Sequence, residues 1–229
     1  MQISAIIPAV NEAGGIERAV QGAWEAGADE VLVVDGGSSD ATVELALRSR
    51  AQVLSSARGR AIQQNLGAQH ATGDVLLFLH ADNWLDPDGG QQIREMLVDQ
   101  SILGGGFCQA IDAPQYWYRW IEGGNAWRVR LRGLVYGDQA IFMRTEVFQK
   151  LGGFPQVKLM EDLLLMRKFR RLAKPILLPG PVHVHPRRWQ RCGVVQQTLC
   201  NWSLLGAQWL GIAPDRLARF YPSHDQTQI

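Results

Sequence analysis

Apolar positions in the first half of the chain fall into short, nearly continuous runs, separated by stretches with helical spacing. Residues 4–8 and 31–35 read as parallel strands buried on both faces, and residues 75–80 are nearly all apolar. Between the first two runs, Ile16, Ala19, Val20 and Trp24 recur on one helical face. After the second, Asp40 is placed to cap a helix carrying Val43, Ala46 and Leu47. Residues 52–55 add a short strand and residues 59–70 another helix. Strand, helix, strand, helix, strand implies right-handed crossovers. The fold class expected is α/β, a Rossmann-like, mostly parallel sheet flanked by helices.

The second half is less regular. A Gly-rich strand is expected near residues 102–110, then an aromatic segment at 116–127, a strand at 140–144 and a helix from about Glu161. A strand at 176–178, a basic turn and a C-terminal helical region follow. A single domain over residues 1–229 accommodates all of this, as a regular half (1–100), a less regular half (101–190) and a helical segment (191–229).

Composition narrows the function classes. With 46% hydrophobic and 20% charged residues the chain is an ordinary globular one, and its net charge of +1 gives no global field for nucleic acid or an anionic membrane. Attraction for phosphate must therefore be local. Cys108, Cys192 and Cys200 form no C-x-x-C pair, which argues against a disulfide framework or zinc site and fits a reducing cytoplasm. The N-terminus enters a strand directly, without a basic, apolar leader. The nearest approach to a membrane span, residues 192–214, carries Gln196, Gln197, Asn201 and Gln208.

Ligands of an open α/β sheet sit outside the carboxyl ends of its strands. Here those ends carry Asn11 and Glu12, then Asp35, Ser38 and Ser39, then His80 and Asp82. An acidic side chain such as Asp35 can accept from a base imide N–H, while Gly36 and Gly37 let backbone approach a ligand. Asp35 and Asp40 can equally make turns and cap helices. Arg60 can reach a phosphate with directed donors, or lie on a solvated helix face. Glu161 and Asp162 open a helix bearing Leu164, Leu165, Phe169 and Leu172, where paired acids often only compensate the helix dipole. His183 and His185 share one strand face, which suits a metal but serves structural roles as well.

Taken together, these segments resemble glycosyltransferase family 2. Pro8-Ala-Val-Asn11-Glu12 followed by Val34-Asp35-Gly-Gly37-Ser38-Ser-Asp40 is similar to the family's opening. Gly59-Arg60 to Asn65-Leu-Gly67 resembles its G-x-x-x-A-x-N-x-G segment, with Gln64 where a basic residue is usual. Phe78-Leu-His80-Ala81-Asp82 stands where members carry aspartate-x-aspartate, with His80 in the first place. The resemblance implies a GT-A fold, a nucleoside-diphosphate sugar donor, and Mg²⁺ or Mn²⁺ anchored by Asp82, with His185 as a further metal candidate. His80 could be an outer ligand, a diphosphate contact or a strand-end residue. The aspartate of the family's E-D pair is its base, which assigns Asp162 with Glu161 in support. Arg187, Arg188 and Trp189 resemble the element with which related enzymes hold the diphosphate, although its Gln position is His185 here. Gly137-Asp138-Gln139, before a strand and a Thr145-capped helix, also fits the family and places Asp138 and Gln139 in the donor set. That G-D-Q variant, with F-L-H-A-D, L-M-E-D and R-R-W, is similar to a bacterial subgroup linked to arsenosugar biosynthesis.

The expected activity is inverting transfer to a hydroxyl acceptor, small or lipid-linked, from a uridine diphosphate sugar first, with guanosine diphosphate as the other base. The alternative is a non-catalytic sugar-nucleotide or glycan-binding module, for which His80 is the main argument. Nucleotidyl transfer would want a Gly-rich basic loop after the first strand, and a dehydrogenase a G-x-G-x-x-G there; neither is present. Val195, Leu199, Trp202, Leu205 and Trp209 form a C-terminal helical stripe for a core, a homodimer interface or peripheral membrane contact. Trp117, Trp120 and Trp127 can stack on sugars or pack ordinarily.

Overall fold

A computed structural model of the chain describes residues 1–218. The N-terminal elements alternate as the apolar pattern requires: β1 (Ile3–Ala9), α1 (Ile16–Glu25), β2 (Glu30–Asp35), α2 (Thr42–Arg48), β3 (Gln52–Ser55), α3 (Arg60–His70) and β4 (Val75–Phe78). β5 (Asn83–Leu85), α4 (Gly89–Met96), β6 (Gly104–Ile111) and α5 (Trp117–Arg132) follow. After a 3₁₀ turn at Gly137–Gln139 come β7 (Phe142–Arg144), α6 (Thr145–Leu151), α7 (Glu161–Phe169) and β8 (Ile176–Val184). Three further helices are α8 (Arg187–Cys192), α9 (Val194–Trp209) and α10 (Pro214–Leu217).

All these strands join one sheet in the order β3-β2-β1-β4-β7-β6-β8-β5. β3, β2, β1 and β4 are mutually parallel, as are β6 and β8; β7 and β5 run against their neighbours. Alternate β1 residues face opposite layers. Ile3, Ala5 and Ile7 pack with Ile16, Ala19 and Val20 of α1, and Ile6 packs with Ala61 of α3, Phe148 of α6 and Leu165 of α7. Both faces are therefore covered, which explains the nearly continuous apolar run of β1.

Several boundaries differ from the sequence-based expectation. β4 stops at Phe78, leaving His80 in the loop beyond it, and β7 begins at Phe142 because Ala140 adopts a left-handed backbone (φ 49°). β8 continues to Val184 and so carries His183. The aromatic segment is helical, and β5 and α4 were not anticipated. In the C-terminal stripe, Leu199 is exposed and Leu205 half-buried, while the side chains of Val195, Trp202 and Trp209 lie outside the described residues. No helix among the described residues is long and apolar enough to cross a membrane.

Candidate active site

Parallel pairing brings the carboxyl ends of β1, β2 and β4 to one edge, with Ala9 beside Asp35 and Ile6 beside Phe78. The loops leaving β1 and β2 are stitched together there. Asn11 takes a left-handed backbone (φ 53°); its N–H donates to Ser38 Oγ (2.9 Å) and its Oδ1 accepts from the Ser39 N–H (2.8 Å). The Asp35 carboxylate is buried and accepts from the N–H groups of Gly37 (3.0 Å) and Ser38 (3.1 Å) and from the Ser38 hydroxyl. Gly37 needs its small size for its φ of 91°. Asp40 accepts from the N–H groups of Thr42 (3.0 Å) and Ala13 (3.1 Å), and Thr42 Oγ1 accepts from the Glu12 N–H (2.8 Å). These turns aim Glu12 into the cleft. Gln63 was not singled out in the sequence; its buried Nε2 donates to Ala9 O (2.9 Å) and Val34 O (2.7 Å), tying the two strand ends together.

Beyond that edge lies a cleft of about 2000 Å³. At one end, Arg187 at the start of α8 reaches back to the β1 and β4 loops. Its Nη2 donates to both oxygens of Glu12 (2.9 Å each) and stands 3.1 Å from Asp82 Oδ2. Two hard carboxylates thus converge on one cation. Burial raises the Glu12 pKa above the ordinary carboxylate range; Arg187 pulls against that and Asp82 adds to it. Such a donor set suits Mg²⁺ or Mn²⁺, which take a few carboxylate oxygens and leave room for phosphates. The fit is to oxygen ligands: among the described residues no group of three or more His, Cys, Asp or Glu converges on a point.

Across the same cleft, Asp162 opens α7. Its Oδ2 accepts from the Gly137 N–H (2.6 Å) and its Oδ1 from the Leu163 N–H (2.7 Å). A Cβ on Gly137 would fall 2.9 Å from His80 Nε2 and 3.2 Å from Asp162 Oδ2, so any side chain at this turn must displace one of the two. Met160 (φ 64°) and Ala140 (φ 49°) are left-handed non-glycine residues flanking this arrangement, backbone strain of a kind that collects at functional sites. Glu161 beside it is buried, with Arg60 Nη1 3.5 Å from its Oε1. Burial raises its pKa; Arg60 opposes the shift and Asp162 adds to it.

Of the residues named from sequence, the cleft brings together Pro8, Glu12, Arg60, His80, Ala81 and Asp82, and from the second half Asp138, Glu161, Asp162, Arg187 and Trp189. Others sit in the supporting structure. Asn65 holds the Phe154 backbone through both ends of its amide (2.8 and 2.9 Å). Gln139 is buried and accepts from Arg128 Nη2 (2.6 Å). His183 Nε2 lies 2.8 Å from Asp86 Oδ1 and its ring stacks on Trp84, so that imidazole is engaged away from His185. His185 is exposed, and its Nδ1 accepts the Arg187 N–H (3.1 Å). The Arg188 side chain lies outside the described residues.

Solved structures share this fold at low identity. The S. aureus TarS fragment 1–349 in complex with UDP-GlcNAc superposes with a TM-score of 0.63 at 18% identity, covering 81% of this chain and 58% of that one. Mannosyltransferase PcManGT from Pyrobaculum calidifontis, with GDP-Man and Mn²⁺, gives 0.58 at 19%, covering 80% and 56%. Glucosyl-3-phosphoglycerate synthase from Mycobacterium tuberculosis, with Mg²⁺ and UDP, gives 0.54 at 20%, covering 80% and 69%. The chain spans only 37% of a longer TarS chain. Residues 4–155, well over half of the sequence, match the family described as Glycosyl transferase family 2, and the chain belongs to that family rather than merely resembling it.

Proposed function

We propose that the protein transfers a sugar, with inversion, from a nucleoside-diphosphate sugar to a hydroxyl acceptor. The observation that carries this reading is the pairing, in one cleft, of a carboxylate fixed by two backbone amides (Asp162) with a carboxylate pair gathered around a guanidinium (Glu12, Asp82, Arg187). Asp162 takes the acceptor's hydroxyl proton as the oxygen bonds to the anomeric carbon. The bond from that carbon to the diphosphate oxygen breaks, and its electron pair leaves with the nucleoside diphosphate. Arg187 and Arg60 supply directed positive charge for the phosphates. Asp82, with Glu12 beside it and His185 as a further candidate, would hold Mg²⁺ or Mn²⁺, which supplies charge compensation for the leaving diphosphate when bound. Asp35, at the β2 end, is the acceptor proposed for a base imide.

A uridine diphosphate sugar is the first choice of donor, in keeping with the UDP-GlcNAc and UDP held by two relatives of this fold; the GDP-Man and Mn²⁺ of the third keep guanosine as the other base. The test is a screen of sugar nucleotides for Mn²⁺- or Mg²⁺-dependent release of the nucleoside diphosphate. Release from one donor is expected. Tight binding of a sugar nucleotide with no release under any acceptor would favour a binding module instead.

A further inference from the structure

The cleft extends well beyond the carboxylates, and its far wall has a chemistry of its own. Helix α5 turns Trp120, Gly124 and Trp127 toward it, positions on one helical face. Trp120 is 79% exposed and Trp127 63%. Between them, Gly123 and Gly124 have open space where a Cβ would stand. Glycine is the poorest helix former after proline, and no neighbouring atom comes close enough to require it here. At Gly124, which lines the cleft, this leaves a slot of bare backbone between the two indoles.

Beside this slot the C-terminal ends of α5 and α7 meet. Arg170 Nη1 donates to Arg132 O (3.0 Å), which brings Arg132, Arg167, Arg170 and Arg171 to one corner of the cleft. Cations near helix C-termini are ordinary, but each terminus offers only about half a charge. Among the described residues no ion pair engages any of these four arginines, and the acids lining the cleft are Glu12, Asp82, Asp138, Glu161 and Asp162, none of them on this corner. Helix α7 connects the two ends. At about 1.5 Å per residue, Arg167 stands roughly 8 Å and Arg170 roughly 12 Å along its axis from Asp162.

We propose that this corner binds the acceptor through an anionic group: the acceptor is a hydroxyl compound bearing a phosphate, its ring or chain lying between Trp120 and Trp127. Guanidinium forks match phosphate oxygens bidentately, and aromatic faces stack on the apolar faces of sugars or chains. The inference rests on the transferase reading above and gives that reading its acceptor class. A water-soluble sugar phosphate and a phospholipid headgroup share this chemistry.

The experiment uses protein saturated with UDP and Mn²⁺, so that the donor site is filled, and measures binding by calorimetry. Glucose 6-phosphate is compared with glucose, and phosphatidylglycerol vesicles with phosphatidylcholine vesicles. In at least one arm the anionic probe should bind tenfold or more tightly than its neutral counterpart, and the arm that responds tells a soluble acceptor from a lipid one. That preference should collapse at least tenfold in the Arg167→Gln, Arg171→Gln protein. Gly124→Leu should raise Tm, leucine being the better helix former, while weakening the phosphate probe about tenfold by filling the slot; a merely structural glycine would not separate the two. Equal affinities within both arms, or a preference untouched by these substitutions, overturns the proposal while leaving the transferase reading standing. Failure to bind UDP at all removes that reading, and this one with it.

Discussion

Arg187 Nη2 stands 3.1 Å from Asp82 Oδ2, so a side chain from the start of α8 occupies the position where the β4 loop offers its carboxylate. Arginine and a divalent cation must compete for that oxygen. Removing the guanidinium should therefore raise the Mn²⁺ affinity of nucleotide-free protein about tenfold, equivalent to roughly 1.4 kcal/mol. The same Arg187→Ala change should weaken UDP binding, since a phosphate contact is lost. Calorimetry of each ligand checks the opposed signs; a fall in both affinities would mean that Arg187 supports the metal site.

Asp82→Ala should abolish Mn²⁺-dependent UDP binding while the melting transition is retained, because Asp82 is a cleft-edge residue with no role in the core. His80→Ala should be milder. Equal loss of metal affinity in both variants would make His80 a ligand.

Gly137→Ala tests the packing between His80 and Asp162. The new methyl would fall 2.9 Å from one and 3.2 Å from the other, and must push at least one aside. Displacing a positioned base by a fraction of an ångström to about 1 Å should lower kcat by ~10–10², with UDP affinity little changed. Steady-state kinetics beside UDP calorimetry separates the two; an unaltered kcat would show the 3₁₀ turn to be indifferent to its neighbours.

Glu161 offers a pH prediction. Burial raises its pKa above the ordinary carboxylate value, with Arg60 only partly offsetting. A carboxyl whose folded pKa is raised contributes its stability fully below the unfolded pKa and loses it as pH rises through the folded one. Stability of the wild-type protein should therefore fall as pH rises from about 4.5 through that value. Glu161→Gln, which mimics the protonated form, should melt higher than the wild-type protein at pH 7. The difference should vanish near pH 4. A lower Tm for Glu161→Gln at pH 7 would mean that the Arg60 pair outweighs burial.

Much of this architecture is legible along the chain, and the reasons are local. β1 and β2 announce themselves because both of their faces are buried, so nearly every interior position is apolar. β5 does not: Asn83-Trp84-Leu85 is too short to show a period, and it forms by pairing antiparallel with residues of β8 far along the chain. α5 hides behind aromatic and glycine residues that are weak helix formers. At the site, motifs locate Glu12, Asp82, Asp162 and Arg187 one at a time, whereas the bridge of Arg187 to both Glu12 and Asp82 is tertiary. Asn65 and Gln139 belong to motifs of the family, yet their amides hold Phe154 and Arg128, a distinction that depends on side-chain direction rather than on residue type.

The central claim is that the carboxylate at the start of α7 moves a proton while the Glu12–Asp82–Arg187 end of the cleft holds the donor. Asp162→Asn keeps the shape and removes the basicity. Turnover of a sugar nucleotide should be measured for this variant beside the wild-type protein, with Mn²⁺ present, together with UDP affinity and Tm for both. The account predicts a fall in kcat of ~10²–10⁴, the usual worth of a positioned base, at nearly unchanged UDP affinity and melting temperature. Near-normal turnover by Asp162→Asn would contradict it and move the base elsewhere in the cleft, with Asp138 the next carboxylate to examine.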